Sequence, residues 1–203
     1  LPIFNDRVSE HLPPPRKRDM PLESHHADIA ASTQATLEAA VAAILNRFRQ
    51  PEDRNLCLCG GVAHNSVMNG NVVASGSFEE VFVPPAAGDA GTALGAAVQV
   101  SVDEGHRFGR LETACLGPEF DNAQMQQLLD VSNVPYVSVD NPAERTAELL
   151  AEGATVAWFQ GRAEFGPRAL GARSLLANPC NAEMKDKVNR IKHREKFRPF
   201  APS

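Results

Sequence analysis

The sequence predicts an α/β protein containing parts of two domains, and three observations carry that prediction. Strand, glycine turn and helix follow one another twice between Asn55 and Val102, the order of a layered α/β domain. A second helix–strand–helix–strand order begins after a stretch mixing charge, glycine and proline, residues 103–120, which places a boundary near Thr113. The 203 residues with 43% hydrophobic content supply enough apolar surface for a core.

The first 24 residues are rich in proline and charge (LPPPRKRDMP) and are expected to run extended as a solvated connector. From Asp28 to about Arg49, Leu37, Val41, Ile44, Leu45 and Phe48 fall on one helical stripe. Residues 55–59 read as a short buried strand ending at Gly60-Gly61, followed by a helix over His64 to Asn69. Residues 79–83 form a second strand closed by Pro84-Pro85, and an alanine-rich helix runs from Gly91 to about Val102. Beyond the boundary come a helix over 122–131, a strand over 136–139, a helix over 142–152 and a strand over 155–159. A basic helix over 182–194 runs into FRPFAPS, and there is no internal repeat.

No run of about 18 apolar residues exists, so no membrane span is expected. The first residues lack the basic-then-apolar order of a signal peptide, and the missing Met and the ending FRPFAPS are expected of a piece of a longer protein. The net charge of −5 is uneven: residues 161–203 hold ten Lys/Arg against four Asp/Glu, the rest ten against twenty-one. A basic final fifth beside an acidic remainder points to an anionic ligand at that end. Nucleic acid fits less well, because the region lacks regularly interleaved aromatics and the whole chain is acidic. Of the four cysteines, Cys57 and Cys59 form a lone C-x-C without a second pair. They are expected to be small core residues on one strand face rather than zinc ligands, in a reducing cytoplasm.

Three segments carry chemistry. GRAEFGPRALGARS, residues 161–174, spaces Arg162, Arg168 and Arg173 with glycines and one proline around a single acid, Glu164. Gly166-Pro167 argues against a helix, and guanidinium forks suit phosphate or carboxylate oxygens, with Ser174 a possible hydroxyl donor. The alternative for any one arginine is a surface ion pair. GGVAHNSVMNG, residues 60–70, opens a helix after a strand; its Gly60-Gly61 turn suits a phosphate or a nucleotide edge, or is simply a tight turn. PPAAGDAGTALGAA, residues 84–97, sets Asp89 between Gly88 and Gly91 at a helix start, as an N-cap or as a carboxylate aimed at a metal or a nucleotide's Mg²⁺. His64 reads as structural, and Lys185, Lys187 and Arg190 as solvated helix-face charges.

With HHADIAASTQ (residues 25–34) before them and KHREKFRPFAPS after them, these motifs occur in an order that resembles the O-carbamoyltransferases of nodulation-factor and antibiotic biosynthesis, the NodU/CmcH type. The resemblance runs over essentially the whole chain. It implies that residues 1–113 are the C-terminal half of a Kae1-like, actin-like ATPase domain, and that residues 114–203 are the N-terminal part of a YrdC-like domain. It also implies a two-step reaction. ATP and carbamoyl phosphate form carbamoyl-adenylate with release of pyrophosphate and phosphate, and the carbamoyl group then passes to a hydroxyl of a sugar or secondary-metabolite acceptor.

Under the resemblance, Gly60, Gly61, Val62 and Asn65, with Gly88 and Gly91 leaving room, would line an adenosine site. Asp89 would be a metal ligand, usually of iron, whose expected partners lie in a segment this chain lacks; His25 and His26 are not those partners by position. Arg162, Arg168, Arg173 and Ser174 would contact phosphates, joined by Lys192, Arg194 and Arg198. Glu164 would orient an arginine or bind the carbamoyl NH₂. Adenylate formation would sit around residues 162–198, and transfer at a separate site near Gly60–Asn65 and Asp89. Two other classes are an actin-like small-molecule kinase, which explains Gly60-Gly61 and Asp89 but not the arginine motif, and a non-catalytic nucleotide- or anion-binding module.

Overall fold

The computed structural model describes residues 10–17 and 20–201, and these fall into two units. The first takes in described residues up to Cys57 together with Asn65–Phe82; the second takes in Leu58–His64 and residues 83–201. The extended connector predicted for the first 24 residues lies partly outside the described residues; residues 13–17 have no regular structure and are mostly exposed.

In the first unit, helix α1 (Ser24–Phe48) starts four residues before the predicted one. Its first turn is closed by a reciprocal cap, in which the Glu23 backbone N–H donates to Nδ1 of His26 at 3.0 Å. Leu37, Val41 and Leu45 of the apolar stripe are half-buried, while Ile44 and Phe48 stay exposed. Strand β1 (Asn55–Cys57) pairs in parallel with β2 (Glu80–Phe82), with Asn55 opposite Glu80 and Cys57 opposite Phe82. Parallel neighbours need a crossover, and helix α2 (Ser66–Ala74) lies in it, burying Met68 and Val72. α1 meets α2 through polar pairs, Gln34 with Asn65 and Glu38 with Asn71.

Cys57 and Cys59 are exposed, contrary to the core expectation. β1 is only three residues long and turns Leu56 inward, so Cys57 points outward; Cys59 lies beyond the strand, where alternation no longer applies.

In the second unit, a 3-10 turn (Gly61–His64) and helix α3 (Gly91–Asp103) flank a loop that buries Ala86 and Ala87. Helix α4 (Asn122–Val131) starts at a capping box between Asp121 and Gln124, and α5 (Pro142–Ala151) at an Asn141 cap with proline in its first turn. Strands β3 (Thr155–Phe159) and β4 (Arg173–Ala177) are antiparallel, with Trp158 opposite Ser174 and Phe159 opposite Arg173. α5 packs on β3, and the short helix α6 (Met184–Ile191) packs on β4, burying Met184, Val188 and Asn189.

Two predicted elements need correction. Residues 136–139 form no strand: Val137 is 85% exposed, and the Tyr136 hydroxyl donates to Asp130 instead. A strand exists only where a ladder partner satisfies its backbone, and none does so among the described residues. Conversely, residues 173–177 form β4, where the sequence reading saw only the end of an anion-binding loop and missed the apolar run Leu175-Leu176-Ala177 before Asn178-Pro179.

Candidate functional site

The arginine–glycine stretch is the loop of the β3–β4 hairpin. At its neck, the Gln160 N–H donates to the Ala172 carbonyl at 3.0 Å. The Arg173 guanidinium lies over the Phe159 ring, 3.4 Å from its centroid, and donates to the carbonyls of Gln160, Ala172 and Gly161 at 2.9, 3.0 and 3.1 Å. This arginine, which the resemblance puts among phosphate contacts, uses three of its five N–H donors to fasten the base of the loop. Ser174 acts in the same neighbourhood, its Oγ accepting from the Gly171 N–H at 3.0 Å.

Glu164 organises the interior of the loop. One carboxylate oxygen, Oε1, accepts from the backbone N–H groups of Leu170, Ala172 and Arg173 at 2.7, 2.8 and 3.3 Å. These donors, the Leu170 N–H foremost, lower its pKa from 4.5 to about 2, against a smaller upward push from burial. Glu164 is therefore ionised at neutral pH and holds backbone amides, a partner that the sequence reading did not foresee.

Arg162 and Arg168 are exposed, and each guanidinium is held by one backbone carbonyl: Arg162 Nη2 by Leu116 at 3.3 Å and Arg168 Nη2 by His64 at 3.1 Å. With five N–H groups per guanidinium, most donors on both remain available to a ligand. Fixed, exposed forks of one sign are what an oxyanion site requires.

The Arg168 contact joins the arginine stretch to the Gly60–His64 turn within one unit, two segments that the resemblance assigned to separate sites. Gly60, at φ +97°, donates its N–H to the Ala87 carbonyl at 2.7 Å, and the Gly88 N–H donates to Nε2 of His64 at 3.2 Å. Gly166, at φ +124°, sits so close to the neighbouring loop that a Cβ would lie 2.4 Å from the Pro85 carbonyl oxygen. Only glycine fits there. The arginine loop, the Gly60–His64 turn and the Pro84–Gly91 loop thus form one contact network.

Gly91 is equally constrained, since a Cβ there would fall 2.1 Å from the Ala86 oxygen. Asp89 is exposed and does not cap α3, whose N-cap is Ala90 without a side-chain bond. Among the described residues no group of three His, Cys, Asp or Glu could hold a metal, so Asp89 alone does not make the iron site that the resemblance implied. Gly61 is exposed, and so is Val62 on the 3-10 turn. In the other unit, Asn65 is the N-cap of α2: its Oδ1 accepts from the Met68 N–H at 3.0 Å, and its amide exchanges hydrogen bonds with Gln34.

The closing basic segment turns on itself. Arg194 donates through Nε to Oδ1 of Asn189 at 2.6 Å and stacks on Phe200, while Arg198 pairs with Glu195 at 2.8 Å. Lys192 is exposed at the C-cap of α6. Among the described residues, no hydrogen bond from these three side chains reaches the arginine loop. Lys187, expected to be solvated, donates to the Gly153 carbonyl at 2.9 Å.

Asn189, which the sequence reading passed over, is fully buried, and its Nδ2 holds the carbonyls of Lys196 and Arg198 at 3.3 and 3.0 Å. Its signal was an amide on the apolar face marked by Met184 and Val188.

Two family models match, described as the carbamoyltransferase N-terminus over residues 6–98 and the carbamoyltransferase C-terminus over residues 147–203. Nodulation protein NolO of Bradyrhizobium diazoefficiens is 44% identical over 200 residues, covering 93% of this chain and 36% of the relative. Nodulation protein NolNO of Sinorhizobium fredii is 45% identical over 195 residues, covering 93% and 29%. Nodulation protein U of Rhizobium tropici is 35% identical over 189 residues, covering 92% and 31%. The chain spans about a third of the length of these curated relatives. No helix among the described residues is long and apolar enough to cross a membrane.

Proposed function

We propose, from the premise that this chain belongs to the carbamoyltransferase family, that the whole protein activates carbamoyl phosphate with ATP and passes the carbamoyl group to a hydroxyl of a sugar or secondary-metabolite acceptor. Carbamoyl phosphate would lose phosphate to water. An oxygen of the resulting carbamate would attack the α-phosphorus of ATP, forming carbamoyl-adenylate and breaking the bond to the leaving pyrophosphate. The acceptor hydroxyl would then displace AMP. In this reading residues 1–113 belong to a Kae1-like domain and residues 114–203 to a YrdC-like one.

The observation that carries the proposal is the pair of exposed guanidinium groups, Arg162 and Arg168, each fastened by a backbone carbonyl within a loop locked by Glu164. Joining two polyanions leaves little covalent work for protein groups; fixed positive charge and positioning supply the rate effect. Arg168 contacts the Gly60–His64 turn, and this supports the reading in which it would neutralise phosphate charge beside the candidate nucleotide segment.

The test is incubation of the full-length protein with ATP and carbamoyl phosphate. Pyrophosphate release is the expected result, and Arg168→Ala should abolish it without unfolding the domain. ADP formation with an acceptor would replace this reading with a kinase, and ATP binding without either product would leave a binding module.

A further inference from the structure

We propose that His64 is a positioning residue that ties the arginine loop to the Gly88–Asp89 turn, with its imidazole Nε2 serving as a fixed hydrogen-bond acceptor. His64 closes the 3-10 turn Gly61–His64 and is engaged at both ends. Its Nε2 accepts from the Gly88 N–H at 3.2 Å, and its carbonyl accepts from Arg168 Nη2 at 3.1 Å. A Cβ on Gly88 would lie 3.2 Å from Nε2, so the ring rests directly against that backbone.

An imidazole that accepts through Nε2 is neutral and carries its proton on Nδ1. Protonation would turn the acceptor into a donor facing another donor. Through the orientation of the Gly88 peptide, His64 sets where the Asp89 side chain starts. Through its carbonyl it aims Arg168. One residue of the Gly60–Gly70 motif therefore aligns the other two motifs, which its sequence position alone did not signal.

The inference rests on the carbamoyl-transfer reading only for its kinetic test. In the full-length protein, Gly88 amide hydrogen exchange is compared among wild type, His64→Leu and His64→Gln. Loss of one hydrogen bond should speed exchange about fivefold in His64→Leu. The glutamine amide oxygen restores an acceptor at similar reach, so exchange in His64→Gln should match wild type. Equal exchange in wild type and His64→Leu would overturn the assignment.

For carbamoyl transfer, His64→Leu should lower kcat about tenfold with little change in the KM for ATP, and His64→Gln should recover it. Equal loss in both variants would also overturn it. If His64→Leu fails to fold, His64→Asn, whose shorter amide cannot reach the Gly88 N–H, takes its place in the comparison with His64→Gln. If the full-length protein shows no carbamoyl transfer, the functional reading falls while the exchange data still decide the role of His64.

Discussion

Replacing Glu164 with glutamine keeps the shape of the side chain and one acceptor oxygen but removes the charge that three backbone amides converge upon. The cost follows from two routes. The drop of its pKa from 4.5 to about 2 corresponds to at most about 3 kcal/mol of preference for the ionised form. Partial solvent access reduces this to about 2 kcal/mol. Independently, the bonds from Leu170 and Ala172 at 2.7 and 2.8 Å are charge-assisted, and losing the charge removes roughly half of their strength, again about 2 kcal/mol together.

Amide exchange at Leu170 and Ala172 should therefore accelerate about 30-fold in Glu164→Gln. Because the folded-state pKa lies below the unfolded value, the stabilisation is complete above about pH 4.5 and is lost as pH falls toward 2. The difference between wild type and variant should accordingly be constant at neutral pH and shrink through that window. Carbon-detected NMR titration of the carboxyl reads the same quantity directly. A Glu164 carboxyl titrating near 4.5, or exchange within twofold of wild type at pH 7, would refute the reasoning.

Three further substitutions test the framework around the loop. Gly166→Ala forces a side chain into a left-handed backbone position 2.4 Å from the Pro85 oxygen, and should lower stability by about 2 kcal/mol or more in urea unfolding; an unchanged midpoint would contradict the close approach. Asn189→Ala strips two carbonyls and Arg194 of a fully buried partner, at a cost of about 2–3 kcal/mol by the same measurement; a change under about 0.5 kcal/mol would count against it. Asn65→Ala removes the cap of α2 and the partner of Gln34, and should cost about 1–2 kcal/mol, seen as a lower thermal midpoint.

The helices were legible because their signals are local. Asp121 with Gln124, and Asn141 before Pro142, mark starts that need no tertiary information. Strands were less so, since pairing decides them: Tyr136 to Val139 has the right residue types and no partner, whereas Arg173 to Ala177 gains one in β3. The loop residues show the same limit. Their types announced an anion site, but not that Glu164 would bind amides, that Arg173 would stack on Phe159, or that Arg168 would reach His64. Those partners lie across turns whose geometry depends on glycines in left-handed conformations, which composition marks only as flexible.

The pairing of Trp158 with Ser174 gives the hairpin a built-in optical probe. Trp158 is the single tryptophan of this chain, and it sits one residue before the Phe159–Arg173 neck from which the arginine loop hangs. Indole emission from this chain therefore reports on that neck alone. Loosening of the loop base can thus be followed without a label.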